Sequence, residues 1–350
     1  MEQTTLPANV IISHKRKADL NAVLSKKNYS RMIVLVDSNT HKACYPKLSS
    51  DLPQHDLIKI EAGEENKNLT TCSHVWQAFT YLNVDRKALL LVLGGGVAGD
   101  LGGFCAATYK RGIDFILLPT TLLSQVDASV GGKLGVDFEG FKNHIGVFQE
   151  PLATIIDIDF LKTLPEAELR SGFAEIIKHC LLSDKTMWDI IRKKPLHEQD
   201  LKTLVQHSVA FKASVTQADP REAGLRKVLN FGHTIGHAIE SYFLSTSNRL
   251  LHGEAIALGM IAESWLAVQK KILSIDELKV IQEYIIKMYG HVSLPADVAP
   301  IVQLTFQDKK NAGGKILMAV PKGIGASIWD VEISADELSA ALLYYSSIKA

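Results

Sequence analysis

The sequence predicts an α/β nucleotide-binding domain built on a Rossmann-like parallel sheet, followed by a mainly α-helical domain. Three observations carry that expectation. Apolar, β-branched runs alternate with helical patterns in the first half of the chain. One of these runs ends in Leu93-Gly94-Gly95-Gly96-Val97-Ala98-Gly99-Asp100. Beyond about Phe160, helical periodicity replaces the alternation.

The strands are expected at Met32–Val36, Ala88–Leu93, Phe115–Leu118 (stopped by Pro119) and Ala153–Ile158, with helical patterns such as Cys72–Leu82 between them. That alternation argues for parallel strands covered by helices on both faces, with ligands beyond the strand C-termini, where Asp37 and the Gly94 turn fall. Between the apolar run Ala88–Leu93 and a helical segment, Leu101–Tyr109, the glycines make a phosphate cradle: the backbone can turn sharply while free N–H groups and the helix dipole attract an anion. Gly94, Gly96 and Gly99 satisfy G-x-G-x-x-G, although a glycine-rich turn that binds nothing also fits that spacing. Helices are expected at Glu166–Leu182, Leu201–Gln217, Leu229–Phe243, Gly253–Lys270, Ile275–Met288 and Ala335–Tyr345, and extended segments at 315–320 and Ala326–Asp330. The domains are therefore drawn at 1–159 and 160–350.

With 38 basic and 38 acidic residues, the chain carries no global field for nucleic acid or an anionic membrane. No apolar run reaches the roughly 18 residues of a membrane span, and the N-terminus lacks the basic and apolar regions of a signal peptide. Cys44, Cys72, Cys105 and Cys180 are scattered without a C-x-x-C pair, which suits reduced thiols and a cytoplasmic location.

Candidate chemistry concentrates in the second half. His233 and His237 are four residues apart and share a helical face. His252 stands at the expected start of the next helix, and Glu175 lies in an apolar helix where a buried carboxylate needs a partner. Taken singly, these groups read as ordinary hydrogen-bonded core or surface residues. Together, with no cysteine pair, they favour a catalytic zinc with an open position. Cations cluster near glycines or apolar residues: Lys110 and Arg111, Lys133, Lys142 beside Asn143, Lys178, Lys212, Arg226, and Lys309-Lys310. That placement suggests an anionic ligand. Asp127 lies in a small-residue stretch, and Thr120 and Thr121 follow a strand, where ligand contact and helix capping are competing roles.

These residues resemble the 3-dehydroquinate synthase family. The resemblance is carried, in order, by Gly94-Gly95-Gly96-Val97-Ala98-Gly99-Asp100-Leu101, Ala107-Thr108-Tyr109-Lys110-Arg111-Gly112 and Pro119 to Asp127. It continues through Val130-Gly131-Gly132-Lys133, Lys142-Asn143, Ala174-Glu175-Ile176-Ile177-Lys178 and Gly224-Leu225-Arg226. It ends with Asn230-Phe231-Gly232-His233-Thr234 and Leu251-His252-Gly253-Glu254. It implies a dehydroquinate synthase-like fold and a homodimer that uses NAD and a divalent metal, zinc or cobalt. The implied reaction is the shikimate-pathway conversion of 3-deoxy-D-arabino-heptulosonate 7-phosphate (DAHP) to 3-dehydroquinate and phosphate. Its steps are transient oxidation, β-elimination, re-reduction and intramolecular aldol closure.

The resemblance assigns the metal to Glu175, His233 and His252, and moves His237 to the phosphate with Lys133, Asn143 and the partner subunit's Arg111. Asp127, Lys178 and Asn230 address ring hydroxyls, Lys212 and Arg226 the carboxylate, and one of Lys309 and Lys310 the substrate. NAD falls to Asp37, Asn39, Glu64, Lys67, Gly95, Gly96, Val97, Asp100, Thr120, Thr121, Lys133 and Lys142. The alternatives are a sugar phosphate cyclase of the sedoheptulose 7-phosphate type and a metal-dependent polyol dehydrogenase. The paired cations Lys212 and Arg226 argue against the first and the phosphate set against the second. The sequence departs from the family's pattern at Ala98 and at Asp219-Pro220-Arg221-Glu222, neither expected to touch a residue with an assigned role.

Overall fold

Strand β2 (Met32–Asp37) and strand β4 (Leu89–Gly94) are apolar along nearly their whole length because both faces of their sheet are covered. The computed structural model describes residues 6–139, 141–244, 246–306 and 316–349. Its main sheet has six parallel strands in the order β1-β8-β5-β4-β2-β3, with β1 at Val10–Ile12, β3 at Asp56–Ile60, β5 at Asp114–Pro119 and β8 at Ala153–Ile156. Side-chain alternation splits its core in two. Ile33, Leu35, Leu90, Val92 and Phe115 face the helices Leu69–Tyr81 and Gly96–Thr108. Val34, Val36, Leu91, Leu93 and Ile116 face Leu20, Val23, Leu48 and Phe160.

The four strands expected from sequence are present, and β1 and β3 join them. Both are edge strands, too short or too exposed on one face to give a long apolar run. The glycine helix begins at Gly96 rather than Leu101. Four glycines make its first eight residues poor helix formers, and packing explains the outcome. A Cβ at Gly102 would meet Leu35 and Val92 side chains at 2.8 Å, so glycine lets this helix lie close to the sheet. A separate antiparallel hairpin, β6 (Lys133–Phe138) with β7 (Phe141–Phe148), also packs on this helix.

Packing divides the chain into two compact units, Met1–Leu169 with Val205–Ala213, and Arg170–Leu204 with Ser214–Ala350. The second is mainly helical, with an antiparallel pair, β9 (Ile316–Pro321) and β10 (Ser327–Ile333). The helix expected over Leu229–Phe243 is two elements, a 3₁₀ stretch Leu225–Asn230 and an α-helix His233–Leu244. Gly232 separates them with φ of +78°, a left-handed conformation that ends one element and starts the next. Among the described residues the four cysteines are buried and free, and no helix is long and apolar enough to cross a membrane.

Where the helices His233–Leu244 and His252–Gln269 cross, a Cβ on Gly259 would fall on the Gly232 carbonyl oxygen. Gly259→Ala is therefore expected to lower stability by roughly 1–3 kcal/mol through overpacking. Urea denaturation checks this, and an unchanged midpoint would refute the close approach.

Candidate active site

In the first unit, the chain leaves β2 for β3 and returns on the other side of β2 to form β4, so the helices after β2 and β4 lie on opposite faces. This is a topological switch point, which opens a crevice beyond the strand ends. Asp37 closes β2, and its Oδ1 accepts 2.8 Å hydrogen bonds from the Asn39 and Thr40 amides. Gly94 closes β4, where a Cβ would lie 3.5 Å from Asp37 Oδ2. Gly95 caps the next helix without a side chain, and Gly96 and Val97 form its first turn, where backbone N–H groups lack intrahelical partners. Gly94, Gly95, Gly96, Asp100 and Ser124 line a cavity there.

Threonines 120 and 121 divide their roles. The Thr120 amide donates to the Gly94 carbonyl at 2.9 Å, and Thr121 Oγ1 accepts from the Ser124 amide at 3.1 Å, which is a capping bond. Lys67 is buried, and its Nζ donates at 2.6 Å to both Asp100 Oδ2 and Asn143 Oδ1. Burial opposes the charge on Lys67, but Asp100, Glu64 and Asp137 together outweigh it and raise the pKa; burial raises that of Asp100 in turn, against the pull of Lys67. Lys142 pairs with Glu64 at 3.3 Å, and Lys212 pairs with Asp127. Lys133 opens β6 exposed to solvent, and Arg111 is exposed with a left-handed φ of +67°. Lys309 and Lys310 lie outside the described residues.

In the second unit the helix Glu166–Ser183 buries Glu175, with Lys178 one turn on as its ion-pair partner. Lys178 also donates to the Leu229 carbonyl at 2.8 Å. His233 Nε2 lies 3.4 Å and His252 Nε2 3.8 Å from the same oxygen, Glu175 Oε1. One ring nitrogen from each of His233, His237 and His252 falls within 4.8 Å of the others. Neither Glu175 oxygen accepts a hydrogen bond of sound geometry, although both are buried. A buried carboxylate facing imidazole nitrogens without hydrogen bonds is a donor set that fits a divalent cation. Burial alone would raise the Glu175 pKa, but Lys178 and His233 hold it well below the usual carboxylate range. Burial, then Lys178, depresses the pKa of His233; burial works the same way on His252, where Glu175 and Glu240 outweigh it and push the pKa up to about 9.

The stretch at 219–222 touches residues with assigned roles, contrary to the expectation. Asp219 Oδ2 accepts from the amides of Gly224 at 2.7 Å and Arg226 at 3.0 Å, shaping the loop that carries Arg226. Asn230 Nδ2 donates to Glu222 Oε1 at 2.7 Å. Arg226 itself is buried and donates to the Pro220 carbonyl at 2.9 Å. Two further acids escaped the sequence reading. Glu240 accepts from His252 Nδ1 at 3.1 Å, and Glu263, fully buried, accepts from the amides of Gly232 at 2.6 Å and Ile235 at 3.0 Å. Both were findable: Glu240 lies on the helical face of His233 and His237, and Glu263 is the one acid in the apolar run 255–269.

A dinucleotide-type crevice in one unit and a carboxylate–histidine centre in the other define a metal- and nucleotide-using class of α/β enzyme. Family models for the 3-dehydroquinate synthase N-terminal and C-terminal regions match residues 57–171 and 172–311. The chain belongs to the 3-dehydroquinate synthase family. A relative of that name from Parabacteroides distasonis is 37% identical over 343 residues, 96% of this chain and 97% of its own length. Another from Sulfurovum sp. is 44% identical over 279 residues, 78% of each chain. Among solved structures, 2-epi-5-epi-valiolone synthase from Streptomyces hygroscopicus subsp. jinggangensis 5008, with NAD⁺ and Zn²⁺ bound, is similar with a TM-score of 0.85. It is 27% identical, and the match covers 98% of this chain and 97% of that one.

Glu263→Ala removes the acceptor for two buried amides at the start of the histidine helix. Roughly 1–3 kcal/mol of stability should be lost per orphaned donor, read as a lower midpoint in chemical denaturation. An unchanged midpoint would show that the cap is not needed.

Proposed function

We propose that this chain converts DAHP to 3-dehydroquinate and phosphate, with NAD and Zn²⁺ or Co²⁺ as cofactors. The observation that carries the reading is the buried Glu175 carboxylate with His233 Nε2 and His252 Nε2 turned to one of its oxygens, in a chain of this family. NAD supplies a reversible hydride acceptor, and a cation held by Glu175, His233 and His252 supplies a Lewis acid at the reacting oxygen. Asp37, Asn39, Glu64, Lys67, Gly95, Gly96, Val97, Asp100, Thr120, Thr121, Lys133 and Lys142 would hold the dinucleotide at the switch-point crevice, with the pyrophosphate at the glycine helix N-terminus.

Lys133, Asn143 and His237, with the partner subunit's Arg111, would hold the substrate phosphate, whose dianion takes the proton during elimination while the protein positions it. Asp127, Lys178 and Asn230 would orient the ring hydroxyls, and one of Lys309 and Lys310 would reach the substrate. Lys212 and Arg226 would hold the carboxylate, with the planar guanidinium giving bidentate recognition. A cyclase for a sugar phosphate lacking that carboxylate has no need of both cations. The active form in this reading is a cytoplasmic homodimer that uses neither nucleic acid nor membrane.

Incubation with DAHP, NAD⁺ and Zn²⁺ should release inorganic phosphate without accumulating NADH. Steady NADH formation from a polyol, with no phosphate from DAHP, would establish a dehydrogenase instead. EDTA should abolish phosphate release, and zinc or cobalt should restore it. Arg226→Ala should depress DAHP turnover while NAD affinity, followed by fluorescence titration, stays near wild type. Equal loss of both would place the damage in the fold.

A further inference from the structure

We infer that Glu240 is a positioning residue for the metal centre, holding the His252 ring by its Nδ1 so that Nε2 faces Glu175. The inference rests on the metal reading above and adds to it a residue outside the ligand set.

The geometry is reciprocal across two histidines. His233 Nδ1 lies 3.0 Å from the Phe231 carbonyl, and His252 Nδ1 lies 3.1 Å from Glu240 Oε2. A carbonyl and a carboxylate only accept, so both Nδ1 atoms carry a proton, which leaves Nε2 of each ring as the nitrogen that can give its lone pair to a cation. Those two Nε2 atoms converge on one oxygen, Glu175 Oε1, at 3.4 and 3.8 Å. The backbone supplies the acceptor for His233; for His252 a side chain does, from another helix. Glu240 follows His233 by two turns and His237 by nearly one, so a single helix carries two imidazoles of the cluster and the acceptor for the third. Its side chain is 12% exposed, so the carboxylate is not a solvated surface acid. A carboxylate on the far nitrogen of a ligand histidine fixes the tautomer and makes the ring a stronger donor.

The experiment titrates metal-stripped protein with Co²⁺ alone and follows visible absorption, for wild type, E240Q and E240A, with thermal unfolding of each stripped protein measured in parallel. Wild type should bind with the absorption of an ordered low-symmetry site. E240A should bind about 10–100-fold more weakly with an altered spectrum and a near-wild-type unfolding midpoint. E240Q, which keeps an acceptor but not the charge, should lie between the two. Wild-type affinity and spectrum in E240A overturn the inference. If E240A shows no cooperative unfolding, the same result in E240Q overturns it. Failure of wild type itself to bind Co²⁺ would instead sink the metal reading, and the inference with it.

Discussion

The second unit is organised around one costly object, the buried Glu175 carboxylate. Removing such a charge from water carries a penalty of several kcal/mol even after relaxation. Lys178 offsets part of it, and the placement of Lys178 is secured in turn by its bond to the Leu229 carbonyl. That bond ties the Glu175 helix to the 3₁₀ stretch ahead of Gly232. Glu263 then takes the Gly232 and Ile235 amides, so the start of the histidine helix is pinned by a second buried carboxylate. The positions of His233 and His237 thus follow from where two carboxylates can be tolerated.

The first unit solves a different problem with glycine. A helix N-terminus can serve as an anion site only if nothing blocks its amides, and Gly94, Gly95 and Gly96 leave that end open beside Asp37. Gly102 brings the same helix close to Leu35 and Val92, so the turn is anchored where it meets the core. Ala98 belongs to this arrangement: a Cβ on Gly94 would land on the Ala98 methyl, and a small residue there keeps the turn compact.

Periodicity made much of this legible. The strands β2, β4, β5 and β8 stand out because both sheet faces are buried, so their apolar runs are unbroken. Edge strands β1 and β3 did not stand out, because sheet pairing rather than composition makes them strands. The helix expected over 229–243 is broken for a related reason: apolar spacing continues through Gly232, and the break lies in its left-handed backbone, which no spacing announces. Glu175, His233 and His252 could be singled out because each is chemically unusual for its setting. Glu222 could not, because an acid in a loop looks solvated until its partner is placed, and Glu240 is marked only by sharing the helical face of His233 and His237. The hydrogen bonds to Asn230 and His252 give them meaning.

A chain with equal numbers of acids and bases has no long-range field for drawing in a multiply charged substrate, so selectivity must come from local charge. Among the described residues the buried cations are Lys67, Lys178, Lys212 and Arg226. Three are matched by carboxylates, Lys67 by Asp100, Lys178 by Glu175 and Lys212 by Asp127. A cation so matched is held in place before any ligand arrives, so little reorganisation is needed at binding. The same match means that an incoming anion must share the lysine with its aspartate. Arg226 is held at both ends of the residue: Asp219 takes its amide, and its guanidinium donates to the Pro220 carbonyl.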